Sequence, residues 1–204
     1  MMEVLVPGFA AASLGDLADV RVGVAWTELA EPLVRDRVHA AAACFPRKVE
    51  LDLPLSDDTG PQFGREVAEV HHDLWRDHRD AYSDNVARKL EIAMTVTDAQ
   101  AAVAGANRER YRERWAQLTA DVDLVLTPTM AMVAPEAALG ERPIRNAVLQ
   151  FTYPFNALGA PALALPCGPA EDGLPASVQL AGKPGDDALV LAAGALLERA
   201  LPAG

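Results

Sequence analysis

Four serines are the first candidates for chemistry, because a serine hydroxyl activated by a neighbouring base can attack a carbonyl carbon. They are Ser13, Ser56, Ser83 and Ser177. None lies in a Gly-x-Ser-x-Gly turn, and none is flanked by glycines that would let a substrate approach the backbone. Ser177 falls within a predicted strand, Ser56 opens a predicted turn, and Ser83 lies on or near a predicted helix. These positions favour structural roles for the serines.

The two cysteines, Cys44 and Cys167, are the next candidates. Cys44 ends an alanine-rich amphipathic segment, which is typical of a packing residue. Cys167 precedes a glycine at the end of a predicted strand, so it is the better candidate for a nucleophile. An activated thiol needs a histidine or a cation beside it, and no histidine follows His78 in the sequence. Two buried, reduced thiols are the favoured interpretation, and a partner brought close to Cys167 by the fold is the alternative.

Histidines and carboxylates give no complete metal or acid–base site. His71 and His78 lie seven residues apart, whereas zinc-binding helices usually place two histidines four residues apart. The adjacent pairs Asp57–Asp58 and Asp186–Asp187 are explained by turns and helix starts. Glycine-rich phosphate loops are absent from the sequence. We therefore predict no metal, no cofactor and no catalytic residue in this chain.

The charge balance excludes some classes of partner. The formal net charge is −11, from 18 basic and 29 acidic residues, which argues against binding nucleic acid. The first residues, Met-Met-Glu-Val-Leu-Val-Pro, lack the basic segment of a secretory signal. No apolar run approaches the roughly 20 residues of a membrane span. We expect a cytoplasmic protein without a membrane partner.

A strand–helix–strand unit is predicted over residues 20–55, at the start of the elements that would position any site. Residues 20–26 and 49–55 each alternate in the manner of a strand. Between them a helix is predicted from Pro32 until Pro46, since proline is tolerated in a first turn and ends a helix later. This succession is typical of a parallel sheet.

Helices and short strands are predicted for most of the remaining chain. A long helical stretch covers residues 67–82, and another helix starts at Thr97, where Gln100 has the position of a capping-box partner. Asp172-Gly173 is a strong turn signal. The predicted strands are residues 123–126, 161–166 and 176–180, and a final helix starts at Asp186 and Asp187.

Several sequence blocks in the second half resemble the end of amidase-signature enzymes. They are Asp-Leu-Val-Leu-Thr-Pro-Thr at residues 123–129, Ala-Pro at 134–135, Phe-Thr-Tyr-Pro-Phe-Asn-Ala-Leu-Gly-Ala-Pro-Ala-Leu-Ala-Leu-Pro-Cys-Gly at 151–168 and Gly-Leu-Pro-Ala-Ser-Val-Gln-Leu at 173–180. Their order and approximate spacing match as well. Upstream, Val-Glu-Leu-Asp-Leu-Pro at 49–54 resembles a strand that follows the catalytic region of that family.

The resemblance implies an α/β fold, a partial amidase-signature fold with a mixed sheet flanked by helices. It covers residues 19–201, as the C-terminal portion of an amidase domain, and leaves residues 1–18 as an N-terminal extension. The family hydrolyses or transfers carboxamides with a Ser-Ser-Lys triad, which belongs to a part preceding the one represented here. None of the lysines Lys48, Lys89 and Lys183 matches the context of the catalytic lysine.

The resemblance also implies one wall of a substrate pocket. Residues 152–159 are expected to run close to it, with Thr152 and Asn156 as substrate-binding residues. Asn156 is expected to tie loops together beside the pocket, and the equal alternative for it is a turn cap. For Arg88 an exposed helical position is the expectation, and a position facing the pocket is the alternative. Leu149, Gln150 and Phe151 stand where an acid is expected in the amidotransferases that release ammonia from glutamine, which disfavours that subgroup.

Three functions remain open at the level of sequence. The first is the C-terminal part of an amidase-like enzyme acting on a small amide, inactive alone and needing its N-terminal half. The second is a non-catalytic module that binds a partner or a small amide, and the third is a gene remnant. Because half a mixed sheet leaves strand edges or apolar faces uncovered, we expect self-association or a complementary N-terminal amidase half as partner.

Overall fold

The structure is a computed structural model that describes residues 6–10, 12–56, 58–137 and 144–201. Its strands are β1 (Val22–Val24), β2 (Lys48–Glu50), β3 (Leu124–Pro128), β4 (Ala162–Pro169) and β5 (Pro175–Ala181). Its helices are α1 (Pro32–Ala43), α2 (Gly60–His78), α3 (Asp84–Met94), α4 (Asp98–Leu118), α5 (Arg145–Leu149), α6 (Tyr153–Leu158) and α7 (Asp187–Ala200).

The strands form one mixed sheet in the order β2-β1-β3-β5-β4. β1 is parallel to both β2 and β3, whereas β5 is antiparallel to both β3 and β4. The predicted strand–helix–strand unit is therefore confirmed as β1, α1 and β2, and the predicted α/β fold with a mixed sheet is confirmed as well.

Strands β1 and β2 are shorter than the alternating segments from which they were predicted. The chain leaves β1 because Trp26 adopts a left-handed conformation with φ 62°. Because β2 pairs with β1, β2 ends where β1 ends. The last bond between them runs from Leu51 N to Val24 O, at 2.8 Å. Beyond it, Leu53 O accepts a hydrogen bond from the indole of Trp26 instead of from a strand.

The main hydrophobic core lies on the face of the sheet that α1 and α7 cover. Because side chains alternate along a strand, β3 directs Leu124 and Leu126 to this face, and β5 directs Val178 and Leu180 there. A Cβ atom at Gly194 would collide with the Leu163 side chain, so glycine at this position lets α7 pack closely on β4. Leu14 and Leu17, within the predicted extension, also pack with this core.

Helices α5 and α6 were not predicted from the sequence. They have five and six residues, too few for a helical period to be recognised. Pro154 in the first turn and Gly159 at the C-cap, with φ 68°, set the limits of α6.

Contacts divide the chain into two compact units, Met1–Leu55 with Trp115–Gly204, and Ser56–Arg114. The sheet belongs to the first. The second contains α2, α3 and most of α4, and α3 was also missed by the sequence analysis. The predicted capping box is confirmed, since Gln100 N donates to Thr97 Oγ1 at 3.3 Å and Thr97 N donates to Gln100 Oε1 at 3.0 Å. Asp57 and residues 138–143 lie outside the described residues.

Within the described ranges, none of the helices has both the length and the apolar character needed to cross a bilayer.

Candidate functional site

The face of the sheet opposite the main core carries a cluster of four aromatic side chains. Trp26 stacks on Phe151, with ring centroids 5.6 Å apart and an interplanar angle of 13°. It also contacts Trp115 at 5.8 Å and Phe155 at 5.9 Å, and these two meet edge to face at 5.7 Å. Such pairs are the favoured geometries of aromatic rings. The aromatic cluster therefore packs α6 against the sheet.

The backbone of Trp26 is strained, because a bulky residue rarely adopts φ 62°. The hydrogen bond and the burial of its side chain offset the cost of this backbone strain. The indole Nε1 donates to Leu53 O at 2.8 Å, and the residue is only 3% exposed among its aromatic neighbours. The left-handed turn at Trp26 thus fixes the position of the stacking surface for Phe151.

Gln179 is the polar anchor of the same region. Its side chain, 4% exposed, donates from Nε2 to Phe151 O at 3.1 Å and to Thr127 Oγ1 at 3.2 Å. These two bonds tie the segment that leads into α6 to strands β5 and β3. A buried amide in a strand needs such partners, because an unpaired polar group in a core is costly.

The predicted pocket residues Thr152 and Asn156 lie at the start and in the middle of α6. The Thr152 hydroxyl donates to Leu149 O at 3.4 Å, which ties α6 to the last turn of α5. The Asn156 side chain is exposed, and its backbone carbonyl accepts the C-cap bond from Gly159 N at 3.2 Å. The structure thus puts both residues on one short helix, and their role toward a substrate stays a prediction.

An open groove of about 370 Å³ adjoins this segment. Its apolar lining residues are Pro135, Ala137, Ile144, Val148 and Leu149, and its charged lining residues are Glu136 and Arg145. Since Thr152 is bonded to Leu149, the groove and α6 are directly connected. Its lining is mostly apolar.

The serines occupy the structural positions that the sequence favours. Ser177 Oγ lies 2.9 Å from Thr129 Oγ1 and donates to Leu165 O at 3.2 Å, so its hydroxyl joins β5 to the two neighbouring chain segments. Ser83 is the N-cap residue of α3. Ser13 is exposed and Ser56 half-buried in irregular segments. The lysines Lys48, Lys89 and Lys183 and the helical Arg88 have exposed side chains.

Cys167 belongs to the main core and is 2% exposed. Burial raises the pKa of Cys167 to about 11, although Arg37 and a backbone hydrogen bond from Val178 act in the opposite direction. The side chain is therefore a thiol at neutral pH, which is the wrong form for a nucleophile. Cys44 is half-buried, not fully buried as expected, because α1 ends there, and both cysteines are free.

The histidines of α2 are engaged with separate neighbours. His71 Nδ1 lies 2.8 Å from Tyr82 Oη, and His72 Nδ1 lies 3.0 Å from a carboxylate oxygen of Asp73. Over the part of the chain that the structure describes, no group of three or more histidine, cysteine or acidic side chains has the geometry to hold a metal ion.

It was not predicted from the sequence that Gln179 and Trp26 hold the Phe151 segment on the sheet. A signal existed for Gln179, since an amide inside an apolar strand implies a buried partner. No sequence signal predicts a left-handed tryptophan.

Comparison with known proteins identifies the family. The model of the Amidase family matches residues 58–191, and the chain belongs to that family. A solved amidase structure superposes with a TM-score of 0.78 at 27% identity, covering 93% of this chain and 48% of that one.

Two curated relatives have similar coverage. A glutamyl-tRNA(Gln) amidotransferase component from Nitratidesulfovibrio vulgaris, one of the subunits of that enzyme by its name, is 30% identical over 97% of this chain and 48% of its own length. The acylamidase of Rhodococcus erythropolis is 29% identical over 94% of this chain and 44% of its own length. The chain thus spans about half the length of these relatives.

Proposed function

We propose that this chain is the framework part of an amide-hydrolysing enzyme whose Ser-Ser-Lys triad lies in a complementary N-terminal amidase portion. The observation that carries the proposal is the coverage: nearly all of this chain aligns with an amidase structure, yet only 48% of that structure is accounted for. The remaining polypeptide of such an enzyme has to supply what this chain lacks.

The positions of the hydroxyl groups support the same proposal. Hydrolysis of an amide by serine requires a base within hydrogen-bond reach of the hydroxyl. The Ser177 hydroxyl is engaged by Thr129 and by the Leu165 carbonyl, neither of which is a base. The thiol of Cys167 is buried and protonated at neutral pH. These two observations support the proposal that the catalytic groups come from outside this chain.

We propose that α6 and the groove beside α5 form one wall of the substrate pocket. In this pocket, Thr152 and Asn156 would bind a small amide. The exposed Asn156 side chain is available to a ligand, and the apolar groove lining suits the acyl or aryl part of an amide. We also propose that the protein is cytoplasmic, that its cysteines are reduced and that it has no nucleic-acid partner.

A partner is supported by one relative in particular. The Nitratidesulfovibrio vulgaris protein is by its name part of a multi-chain amidotransferase, so assembly with other chains is compatible with this family. For the chain described here, the partner we propose is the complementary amidase portion, present either as a separate chain or as another part of a longer polypeptide.

The test is complementation of activity. The full chain is assayed with simple aryl amides alone and then mixed with a complementary portion. That portion is taken from the reading frame upstream of the Met1 codon, if it encodes a lysine and a Gly-Ser-Ser stretch, or from the part of the Rhodococcus erythropolis acylamidase that this chain does not match. The expected result is turnover only in the mixture. Turnover by the chain alone, or none in mixtures with either portion, would contradict the proposal.

Paired asparagine variants sharpen this test. In the active mixture, Asn156→Ala is expected to lower kcat/KM by about tenfold, because a hydrogen bond to substrate is lost. Asn85→Ala, the same change on exposed α3, is expected to leave kcat/KM unaltered. Equal effects of the two variants would remove Asn156 from the proposed pocket wall.

A further inference from the structure

The two edges of the sheet differ in length and charge. At one edge, β2 has three residues, and both Lys48 and Glu50 are exposed. At the other edge, β4 has eight residues, Ala-Leu-Ala-Leu-Pro-Cys-Gly-Pro, without a single charge. Short strands and charged side chains are the usual protection of a sheet edge against pairing. By this criterion the β2 edge is protected against pairing with a further strand, whereas the β4 edge is unprotected, and we call it the open edge.

The alternation of hydrogen bonds along β4 determines which of its backbone N–H and C=O groups point away from β5. Gly182 N donates to Pro161 O at 3.0 Å, and the register pairs Ala162 with Ala181 and Leu163 with Leu180. Alternate residues of an antiparallel pair direct their N–H and C=O groups to the partner strand. Leu163 and Leu165 therefore bond to β5, and Ala162 and Ala164 direct their backbone groups outward. In the described part of the chain, β5 is the one strand paired with β4.

The outer segment of β4 ends at Pro166. Proline has no N–H, and the register shifts between Pro166 and Gly168, where φ is 115°. A bulge of this kind bends the strand and ends regular pairing. The segment available to another strand is thus residues 162–166, which are held straight by β5 on their inner side.

One face of this segment is also uncovered. Ala162, Ala164 and Pro166 have exposed side chains, whereas Leu165 and Cys167 on the opposite face are buried in the main core. On the neighbouring strand β5, Gln179 and Ala181 are buried. A strand added to β4 would extend the sheet, and the layer attached to it would cover these small apolar side chains.

We propose that the outer edge of β4, residues 162–166, receives a β-strand of the complementary amidase portion. This inference rests on the proposed function. A strand is the occupant because the edge offers backbone donors and acceptors at strand spacing. The complementary portion is its source because an amidase fold contains about as much polypeptide again as this chain supplies, and that polypeptide has to attach where the sheet is open.

Substitutions on the edge test the inference with the full chain. Ala164→Pro removes one outward N–H without altering the bonds between β4 and β5, and Ala164→Lys places a charge on the uncovered face. Ala164→Pro is expected to weaken binding of the complementary portion by about tenfold, the loss of roughly one interfacial hydrogen bond. Ala164→Lys is expected to weaken it to a similar extent, because the added layer would cover the new charge. Ala102→Lys, on an exposed position of α4, is the matched control and is expected to leave the Kd unchanged.

Amide hydrogen exchange gives a readout that does not depend on how a variant folds. In the unbound chain, the amides of Ala162 and Ala164 are expected to exchange fast and those of Leu163 and Leu165 slowly. Binding of the complementary portion is expected to slow exchange at Ala162 and Ala164 by at least about tenfold, the protection given by a new ladder bond.

The outcomes separate this inference from the proposed function. If the wild-type chain binds and gives amide turnover but the Ala164 variants bind equally well, only the β4 inference is overturned. If Ala164→Lys abolishes self-association and leaves binding of the complementary portion intact, the edge pairs copies of this chain, which also overturns it. If the wild-type chain neither binds nor gives turnover, the proposed function fails, and the β4 inference fails with it.

Discussion

Gln179 is the residue on which the attachment of α6 to the sheet depends most directly. We predict that Gln179→Leu lowers the free energy of unfolding by about 1–3 kcal/mol, because Phe151 O and Thr127 Oγ1 lose their buried donor. Gln117→Leu, the same change at an exposed position of α4, is expected to alter it by less than about 0.5 kcal/mol. Urea unfolding measures both, and equal losses would show that the Gln179 bonds are unimportant.

The buried thiol of Cys167 predicts a pH dependence of stability. Its pKa is raised from 9.0 to about 11 in the folded chain, so unfolding releases a proton between these values. The unfolded state is then favoured, and stability falls as pH rises through this window, by on the order of 2 kcal/mol. Below pH 9.0 the thiol is protonated in both states, and no such dependence is expected from it.

A Cys167→Ala variant isolates this effect. The variant loses stability at all pH values through the missing sulfur, yet its decline between pH 9.0 and about 11 should be shallower than that of the wild-type chain. Cys44→Ala is the matched control and should keep the wild-type slope. Parallel stability curves for the wild type and Cys167→Ala would contradict the assignment.

Single residues also mark the limit of what the sequence predicts about the site. Thr152 and Asn156 were predicted only through the resemblance, because a threonine and an asparagine near a turn are common without any function, and their role toward a substrate stays a prediction. Ser177 was assigned a structural role from its mid-strand position, and its bonds to Thr129 and Leu165 agree with that role. The positions of Trp26 and Gln179 depend on contacts between segments far apart in sequence, which no local pattern contains.

At the scale of elements, the aromatic cluster stabilises α6 on the sheet. We predict that Phe151→Ala costs about 3–5 kcal/mol of folding free energy, since the buried ring stacks on Trp26 and its removal leaves a cavity. Phe63→Ala, with a ring that is 50% exposed, is expected to cost less than about 1 kcal/mol. Thermal unfolding and tryptophan fluorescence measure the difference, and similar costs would refute the role of the cluster.

Elements with a strong period were predicted well, and short ones were not. β1, α1 and β2 follow from alternation and from the prolines that bound the helix, and the β4–β5 hairpin follows from the Asp172-Gly173 turn. α5 and α6 escaped detection because a helix of five or six residues shows less than two turns of periodicity. Their stability comes from tertiary contacts such as Phe151 with Trp26, as is usual for short helices.

At the scale of the molecule, the compact unit of residues 56–114 exposes many large apolar side chains. They lie along all the helices of this unit, and exposed apolar surface is more common at interaction sites than elsewhere. They include Phe63 at 50%, Val70 at 75%, Leu74 at 51%, Ile92 at 64% and Val103 at 64% exposure.

We predict that the isolated chain self-associates, because this surface and the β4 edge both favour contacts between copies. Light scattering over a wide range of concentration should show a mass that rises with concentration. Addition of the complementary amidase portion should replace the self-associated species by a complex of defined stoichiometry. A chain that remains a stable monomer at every concentration would contradict the prediction.

The most direct measurement of the central proposal is the site of covalent labelling by a serine-directed fluorophosphonate. We expect intact-mass spectrometry to detect an adduct on the complementary portion in the active mixture and none on this chain, alone or in the mixture, because we propose that the triad lies in the complementary portion. An adduct on Ser13, Ser56, Ser83 or Ser177, accompanied by amide turnover, would contradict the account.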